Sequence, residues 1–513
     1  MTTSQLIIVI TIVLYLFSML LIGVIFSKKG AADSSDSFYI GGRTLGPLVT
    51  AMSAEASDMS SYLLMGLPGL AYIAGTAEVS WTVIGLAAGT YLNFLLVARL
   101  LRRYSARINA FTIPEFFSNR YGDKKHLLSL ASSIIILVFF IPYTASGFKA
   151  VGTLFNSLFG VDYHLAMLFG AVIIISYTTL GGFLAVSTTD LIQSIFMSIA
   201  LVVIVFFGID QAGGLSNVVE NAKALPGYLN IFQGYDAASG TAGSFGFLPI
   251  VSTLAWGLGY FGMPHILLRF MAIRNENELK LSRRIASVWA VVSMSVAILI
   301  GIIGYSVSLN GKIPLFTSGS ESETVIIRLA NLMSENGFLL ALMAGVILAG
   351  ILAATMSTAD SQLLAASSSV SQDIMQDFFG KNLTQRAAMI AARTTVIIIA
   401  IISIILAWDP NSSVFRVVSF AWAGFGATFG PTMLLALFWK RSNLQGALAG
   451  LIAGGATVFI WKFMISPMGG AFGIYELLPA FLVSFAANVC VSLLSKAPGQ
   501  DIVKVYEEVH SAK

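Results

Sequence analysis

Four polar stretches interrupt an otherwise apolar chain, and each carries side chains able to do chemistry. The first is Ser53-Ala54-Glu55-Ala56-Ser57-Asp58-Met59-Ser60-Ser61-Tyr62, followed by Gly66, Pro68 and Gly69. The second runs from Trp256 through Gly257, Gly259, Tyr260 and Gly262 to Met263, Pro264 and His265. The third is Ala353-Ala354-Thr355-Met356-Ser357-Thr358-Ala359-Asp360-Ser361, and the fourth is Ser187-Thr188-Thr189-Asp190. Glycine and proline unwind a helix; unwound carbonyls coordinate a bare cation, and half-helix N-termini offer N–H groups to a carboxylate. Ser357 lies three residues before Asp360 and four before Ser361, so the three share a helix face. Hydroxyls and carbonyls suit a hard monovalent cation, whereas a transition metal would want imidazole or thiolate. Gly/Pro kinks alone would serve packing, and lone Ser or Thr residues bond back to their own helix. An acid such as Asp58 in mid-span costs roughly 2.5–3.5 kcal/mol to insert, which argues for a role beyond packing. Asp190 reads either as a helix cap or as a second cation carboxylate.

The elements that position these residues are membrane helices. The chain has 513 residues, 57% of them hydrophobic and 11% charged. A soluble domain carries about 25% charged residues, so this composition requires lipid as the outer solvent. At about 20 apolar residues per crossing, about thirteen spans are predicted, near 5–26, 46–72, 78–101, 127–155, 164–181, 183–208, 246–272, 286–309, 338–370, 387–408, 414–438, 444–465 and 475–495. The first run is longer than a signal-peptide core and lacks a basic leader, so it is read as a retained span. One set of loops holds Lys28, Lys29 and Arg43; Arg99 to Lys125; Arg269 to Arg284; Lys381 and Arg386; and Lys440 and Arg441. The alternate loops are poor in basic residues. By the positive-inside rule the N-terminus is expected outside and the C-terminus in the cytoplasm of a multi-pass cell-membrane protein.

The spans near 46–72 and 246–272 are five apart in helix order and both are interrupted. Paired interruptions at matching places point to an inverted repeat. The expected organisation is 1–45 (first helix and inner loop), 46–208 (first repeat, helices 2–6), 209–245 (outer loop), 246–438 (second repeat, helices 7–11), 439–495 (helices 12–13) and 496–513 (a charged, fraying tail).

Other classes are disfavoured. Cys490, the one cysteine, reads as a buried structural thiol, and the four histidines have no metal-ligand spacing. No basic stripe with interleaved aromatics suggests nucleic acid, no Walker motif suggests ATP, and no nucleophile–base set suggests an enzyme. Gly446, Gly450 and Gly454 repeat every four residues, a packing stripe within the chain or between protomers, and no oligomer is required. Arg269 is assigned to the positive-inside pattern.

The chain resembles the sodium/solute symporter family, and within it the bacterial sodium/proline branch. The resemblance rests on Gly41 to Pro47, Ala56 to Ser60, Met65 to Gly69, Gly181 to Ser187, Trp256 to His265, Met356 to Thr358 and Ala421 to Gly426. It implies the LeuT-type all-α fold and Na+ as the coupling ion. It implies a sodium site from the backbone of Ala56, Met59 and Ala354 with the hydroxyls of Ser357 and Thr358. Asp58 and Ser60 match coupling residues; Tyr143, Trp256, Tyr260 and Pro264 match positions that hold the solute, with Ser60 and Ser61 beside them. Asp190 matches a second sodium position of some members. Glu55 replaces a glycine, Ser61-Tyr62 a Gly-Trp pair, Met263 a glutamine and Asp360 a serine. The two extra carboxylates, Glu55 and Asp360, point to a second cation, a proton or a substrate with extra positive charge; with Ser361, which shares the helix face of Ser357 and Asp360, they are further cation-coupling candidates. The expected activity is sodium-coupled uptake of a small amino acid, L-proline first, by alternating access. The rivals are another solute (other amino acid, pantothenate, choline or sugar), proton coupling, and a receptor or channel.

Overall fold

The computed structural model describes residues 2–30, 40–178, 182–381 and 383–511. Gly181 of the Gly181–Ser187 motif lies outside the described residues. Ten helices among the described residues are long and apolar enough to cross a membrane. They include the first span, Thr3–Gly30, the third, Thr76–Arg107, the fourth, Leu127–Phe159, and the sixth, Phe183–Gln211. The eighth, Glu276–Leu309, the ninth, Phe338–Phe378, and the tenth, Arg386–Leu406, follow. The eleventh, Val414–Phe438, the twelfth, Leu444–Met468, and the thirteenth, Leu477–Leu494, complete them.

The other three expected spans are broken or short. The second runs Pro47–Ser61, Tyr62–Gly66 and Leu67–Ala74. Its break is at Ser60, whose backbone (φ 46°, ψ −165°) leaves the helical region, and a wide π turn follows. The fifth is the helix Tyr163–Thr178. The seventh is an α-helix over Phe247–Leu254, a tight 3₁₀ stretch over Ala255–Gly262, an extended Met263 (φ −75°, ψ 109°), and a new helix Pro264–Ala272 begun by the proline. Both interrupted spans therefore break where Gly, Pro and Ser accumulate, because these residues lose least, or gain most, by leaving the helix.

The ninth span is central and packs against the first, second, fourth and sixth. The eleventh packs against the fourth, the seventh, the twelfth and the thirteenth. Its apolar window is 89% buried, whereas that of the twelfth is only 22% buried, which separates an inner ring of helices from a lipid-facing one. The third and seventh spans cross so closely that a Cβ on Gly89 or Gly257 would overlap the partner's backbone. The tight 3₁₀ stretch that carries Trp256 and Tyr260 sits where it does because of that crossing.

Two expectations change, for Cys490 and the tail, and two regions, the outer loop and the glycine stripe, gain detail. Cys490 is exposed rather than buried: Asn488 and Ser492, two residues either side, face Gly446, which leaves Cys490 on the opposite, lipid-facing side. The tail is ordered as a helix, Gln500–Ser511, with Tyr506 and Val509 buried. Its Glu508 pairs with Arg107 at 2.7 Å. The outer loop contains a helix, Leu215–Lys223, and a hairpin pairing Gln233–Asp236 with Thr241–Ser244. Buried Tyr228 anchors that loop, donating to the carbonyl of Tyr72 at 2.7 Å. The Gly446/Gly450/Gly454 stripe is internal: Asn488 and Ser484 of the thirteenth span fill it.

Candidate functional site

Two polar clusters and one small cavity occupy the middle of the bundle, and the second span contributes to all three. The cavity is lined by Asp58, Met59, Tyr62, Leu86, Tyr143, Trp256, Val418 and Trp422 and has a volume of about 10 Å³, which is room for about one water. Its roof is aromatic. Trp256 stacks on Tyr62 (5.7 Å between centroids) and Tyr475 (5.0 Å), and packs on Phe415 (5.4 Å). The Trp422 indole donates to the Trp256 carbonyl at 2.8 Å and is edge-on to Tyr260 at 5.1 Å.

Asp58 forms the polar floor. Its carboxylate accepts from the Tyr260 hydroxyl at 2.6 Å, and its carbonyl accepts from the Tyr143 hydroxyl at 3.0 Å. The carbonyl is open to Tyr143 because the chain turns out of the helix at Ser60: the Tyr62 N–H, its helical partner, goes instead to the Met59 carbonyl and, at 3.1 Å, to the Ser60 hydroxyl. Of the residues that the resemblance assigns to the solute, Tyr143 and Trp256 line the cavity. Tyr260 reaches it through Asp58. Pro264, Ser60 and Ser61 are buried but do not line it, and Pro264 starts a helix. Tyr62, Leu86, Val418 and Trp422 complete the walls. Trp422 stands in a motif singled out by resemblance and Tyr62 closes the polar stretch of the second span as a departure from the family pattern, whereas nothing local marks Leu86 or Val418.

Two residues before Asp58, at Ala56, oxygens converge from the second and ninth spans. Ser357 Oγ lies 2.8 Å from the Ala56 carbonyl and 3.1 Å from that of Ala354; Thr358 Oγ1 lies 3.2 Å from the Ala354 carbonyl. These groups are buried, uncharged and hard, the donor set a sodium ion takes. The Met59 carbonyl instead accepts from the Tyr62 N–H across the kink.

The second cluster corrects the reading of Arg269. Rather than sitting in a basic loop, Arg269 is 1% exposed and pairs with Asp190, itself 0% exposed, at 3.1 Å. The same nitrogen lies 2.6 Å from Ser361 Oγ, and Arg269 Nε lies 3.0 Å from Ser53 Oγ, whose hydroxyl donates to Asp190 at 2.6 Å. The guanidinium also lies over the Phe183 ring at 5.2 Å. Asp190 is thus not a helix cap, and its Oδ2 already holds a built-in cation. Asp360 is buried beside this cluster, with Ser361 Oγ 3.4 Å from its Oδ1. Its Oδ2, Asp190 Oδ1 and Glu55 Oε2 are buried without a hydrogen-bond partner among the described residues. Met263 is fully buried at the helix break and does not line the cavity.

A family model described as the sodium:solute symporter family matches residues 38–454. The chain belongs to the sodium:solute symporter family. It is 41% identical over 492 residues to the high-affinity proline transporter of Bacillus subtilis, covering 96% of this chain and 98% of the relative. It is 42% identical over 509 residues to the sodium/proline symporter of Haemophilus influenzae, covering 98% and 97%. Among solved structures it is similar to an outward-open sodium-coupled sialic acid symporter (TM-score 0.77, 19% identity, covering 96% and 99%). It is also similar to MhsT in complex with L-phenylalanine (TM-score 0.54, 14% identity, covering 87% and 98%). The fold is the LeuT type, and this symporter is a multi-pass membrane protein.

Proposed function

We propose that this symporter carries L-proline into the cell together with sodium by alternating access. The observation that carries the reading is the shared turn of the second span. Asp58 faces the aromatic cavity, and the Ala56 carbonyl, two residues away, faces the oxygens of the ninth span. A cation held by Ala56, Ala354, Ser357 and Thr358 would fix the positive-φ break at Ser60, and with it the Asp58 and Tyr143 side of the cavity. The solute would in turn hold the same turn for the cation, so each raises the other's affinity by one factor. The rings of Trp256, Tyr62 and Tyr143 suit an imino-acid ring, while Asp58 and the kinked backbone face its charged ends. The relatives named for proline support this choice of solute.

An amino acid cannot enter about 10 Å³, so binding requires the Trp256, Tyr62 and Phe415 rings to turn aside. Glu323 holds this roof down. Its carboxylate accepts from Ser413 Oγ at 2.7 Å and from the N–H groups of Val414 and Phe415 at 3.0 and 3.1 Å, capping the eleventh span. Residues 46–208 and 246–438 are read as the two repeats because the breaks at Ser60 and Met263 stand in corresponding spans. The end bearing Arg99 to Lys125 is read as cytoplasmic, which places the C-terminus inside and the N-terminus outside. One net positive charge moving inward gains about 2.3 kcal/mol per 100 mV.

The test is labelled proline uptake into proteoliposomes under an inward sodium gradient, with potassium as the control. Sodium-dependent accumulation is expected; folded protein that accumulates no proline in either salt removes proline as the solute. Glu55, a buried acid one turn before Asp58 with an oxygen that has no hydrogen-bond partner among the described residues, favours proton coupling as the second reading. Uptake that follows a pH gradient and ignores sodium would establish it.

A further inference from the structure

A second cavity, of about 270 Å³, lies at the basic end of the bundle, between the end of the third span and the start of the eighth. Its lining includes Arg99, Lys280 and Arg283 as cations and Glu276 as an acid. The acid is already committed: Arg103, which is not in the lining, meets both its oxygens, at 2.7 and 2.8 Å. The neighbouring Glu278 is held by Arg274 at 2.8 Å. Arg99 touches Glu276 only at 3.4 Å. Lys280 forms no ion pair among the described residues. Arg283 rests its guanidinium on the Tyr91 ring at 5.0 Å, and its buried Nε has no hydrogen-bond partner among the described residues. The positive-inside pattern accounts for cations at this end, but not for their grouping around a concave site with an orphaned donor.

The wall above the cations is apolar and outward-facing. Leu92, Leu95 and Leu96 on one helix and Val288, Val291 and Val292 on the other are each at least 40% exposed. A cationic pocket running into an apolar track matches one molecule with an anionic head and a hydrocarbon chain. We propose that this cavity binds the phosphate headgroup of an anionic phospholipid from the leaflet at the basic end, with Arg99, Lys280 and Arg283 on the phosphate and an acyl chain along the leucine and valine track. A soluble phosphate would satisfy the cations but would leave the track without a function. The pocket also abuts the transport core: Phe94 in its wall packs on Phe270 at 4.6 Å, and adjacent Asn93 donates to the Tyr260 carbonyl at 2.9 Å. A bound lipid therefore braces the contact between the third and seventh spans.

The experiment is native mass spectrometry of the full chain in detergent with added phosphatidylglycerol. Wild-type protein should retain phosphatidylglycerol in preference to phosphatidylcholine. K280Q/R283Q should lower that retention by about tenfold or more, and K124Q/K125Q, elsewhere at the same end, should leave it unchanged. Should the double variant not fold, K280Q at its exposed position supplies the same readout with a smaller loss. Equal retention of both lipids, or an equal loss in K124Q/K125Q, would overturn the site. Displacement of the lipid by excess inorganic phosphate would overturn the lipid as its occupant in favour of a soluble anion.

Discussion

Asp58 and Asp190 are both carboxylates buried among membrane helices, yet their surroundings have opposite designs. Asp190 is met by a guanidinium and a serine hydroxyl, and the guanidinium is itself held by Ser53, Ser361 and the His265 carbonyl at 2.8 Å. Asp58 is met by a neutral phenol and abuts a cavity. One charge is balanced by the protein; the other has no cationic hydrogen-bond partner among the described residues. A buried charge is tolerated only when compensated. Asp190 therefore belongs to the fixed frame, and Asp58 is the one whose compensation can arrive and leave with the transported species.

The largest expected effect breaks the fixed cluster. Arg269→Gln strands Asp190 and should destabilise the protein by about 3–5 kcal/mol, the usual cost of removing one partner from a buried pair. The double variant R269Q/D190N removes both charges and should recover most of that loss. Thermal unfolding in detergent measures both. If the double variant is no more stable than R269Q, Asp190 is not the group that Arg269 compensates.

Next comes Asp58→Asn. The Tyr260 hydroxyl keeps an acceptor, so unfolding should shift little. Sodium-driven uptake should fall about a hundredfold, equivalent to roughly 2.7 kcal/mol. Unaltered uptake would place Asp58 with Asp190 as a structural acid and end the contrast.

The two clusters also differ in how far the sequence reveals them. Asp58 stands among closely spaced serines that lead into Gly66, Pro68 and Gly69, so the broken span is readable from local chemistry, as is the break before Pro264. The oxygens of Ala56, Met59, Ala354, Ser357 and Thr358 are assigned by resemblance; hydrogen bonds join those of Ala56, Ala354, Ser357 and Thr358, and the Met59 carbonyl accepts from the Tyr62 N–H. Arg269 was misread because its partners, Ser53, Asp190 and Ser361, are 216, 79 and 92 residues away. Its neighbours in sequence made it one more cation near a basic loop. Leu86 and Val418 escaped for the same reason, since a cavity wall is a property of packing and no run of residues announces it. The tail helix is legible in the sequence: Ile502, Tyr506 and Val509 recur at helical spacing and face the bundle, despite the charged residues between them.

The contrast sharpens to a single turn of the ninth span. Ser357 and Ser361 are four residues apart on one helix face, and each loses only a hydroxyl on replacement by alanine. Ser361 accepts from Arg269 at 2.6 Å, and Arg269 keeps its bonds to Asp190 and Ser53 without it. Ser361→Ala should therefore cost about 1 kcal/mol of stability and leave the sodium concentration for half-maximal uptake unchanged. Ser357 reaches across to the Ala56 carbonyl at 2.8 Å, where the second span approaches its break. Ser357→Ala should raise that sodium concentration about tenfold, roughly 1.4 kcal/mol, with a similar small loss of stability. Uptake measured against sodium concentration for the two variants separates a cation ligand from a strut in the frame. Equal sodium dependence would mean that the oxygen cluster at Ala56 is packing, and that the coupling ion is held elsewhere around Asp58.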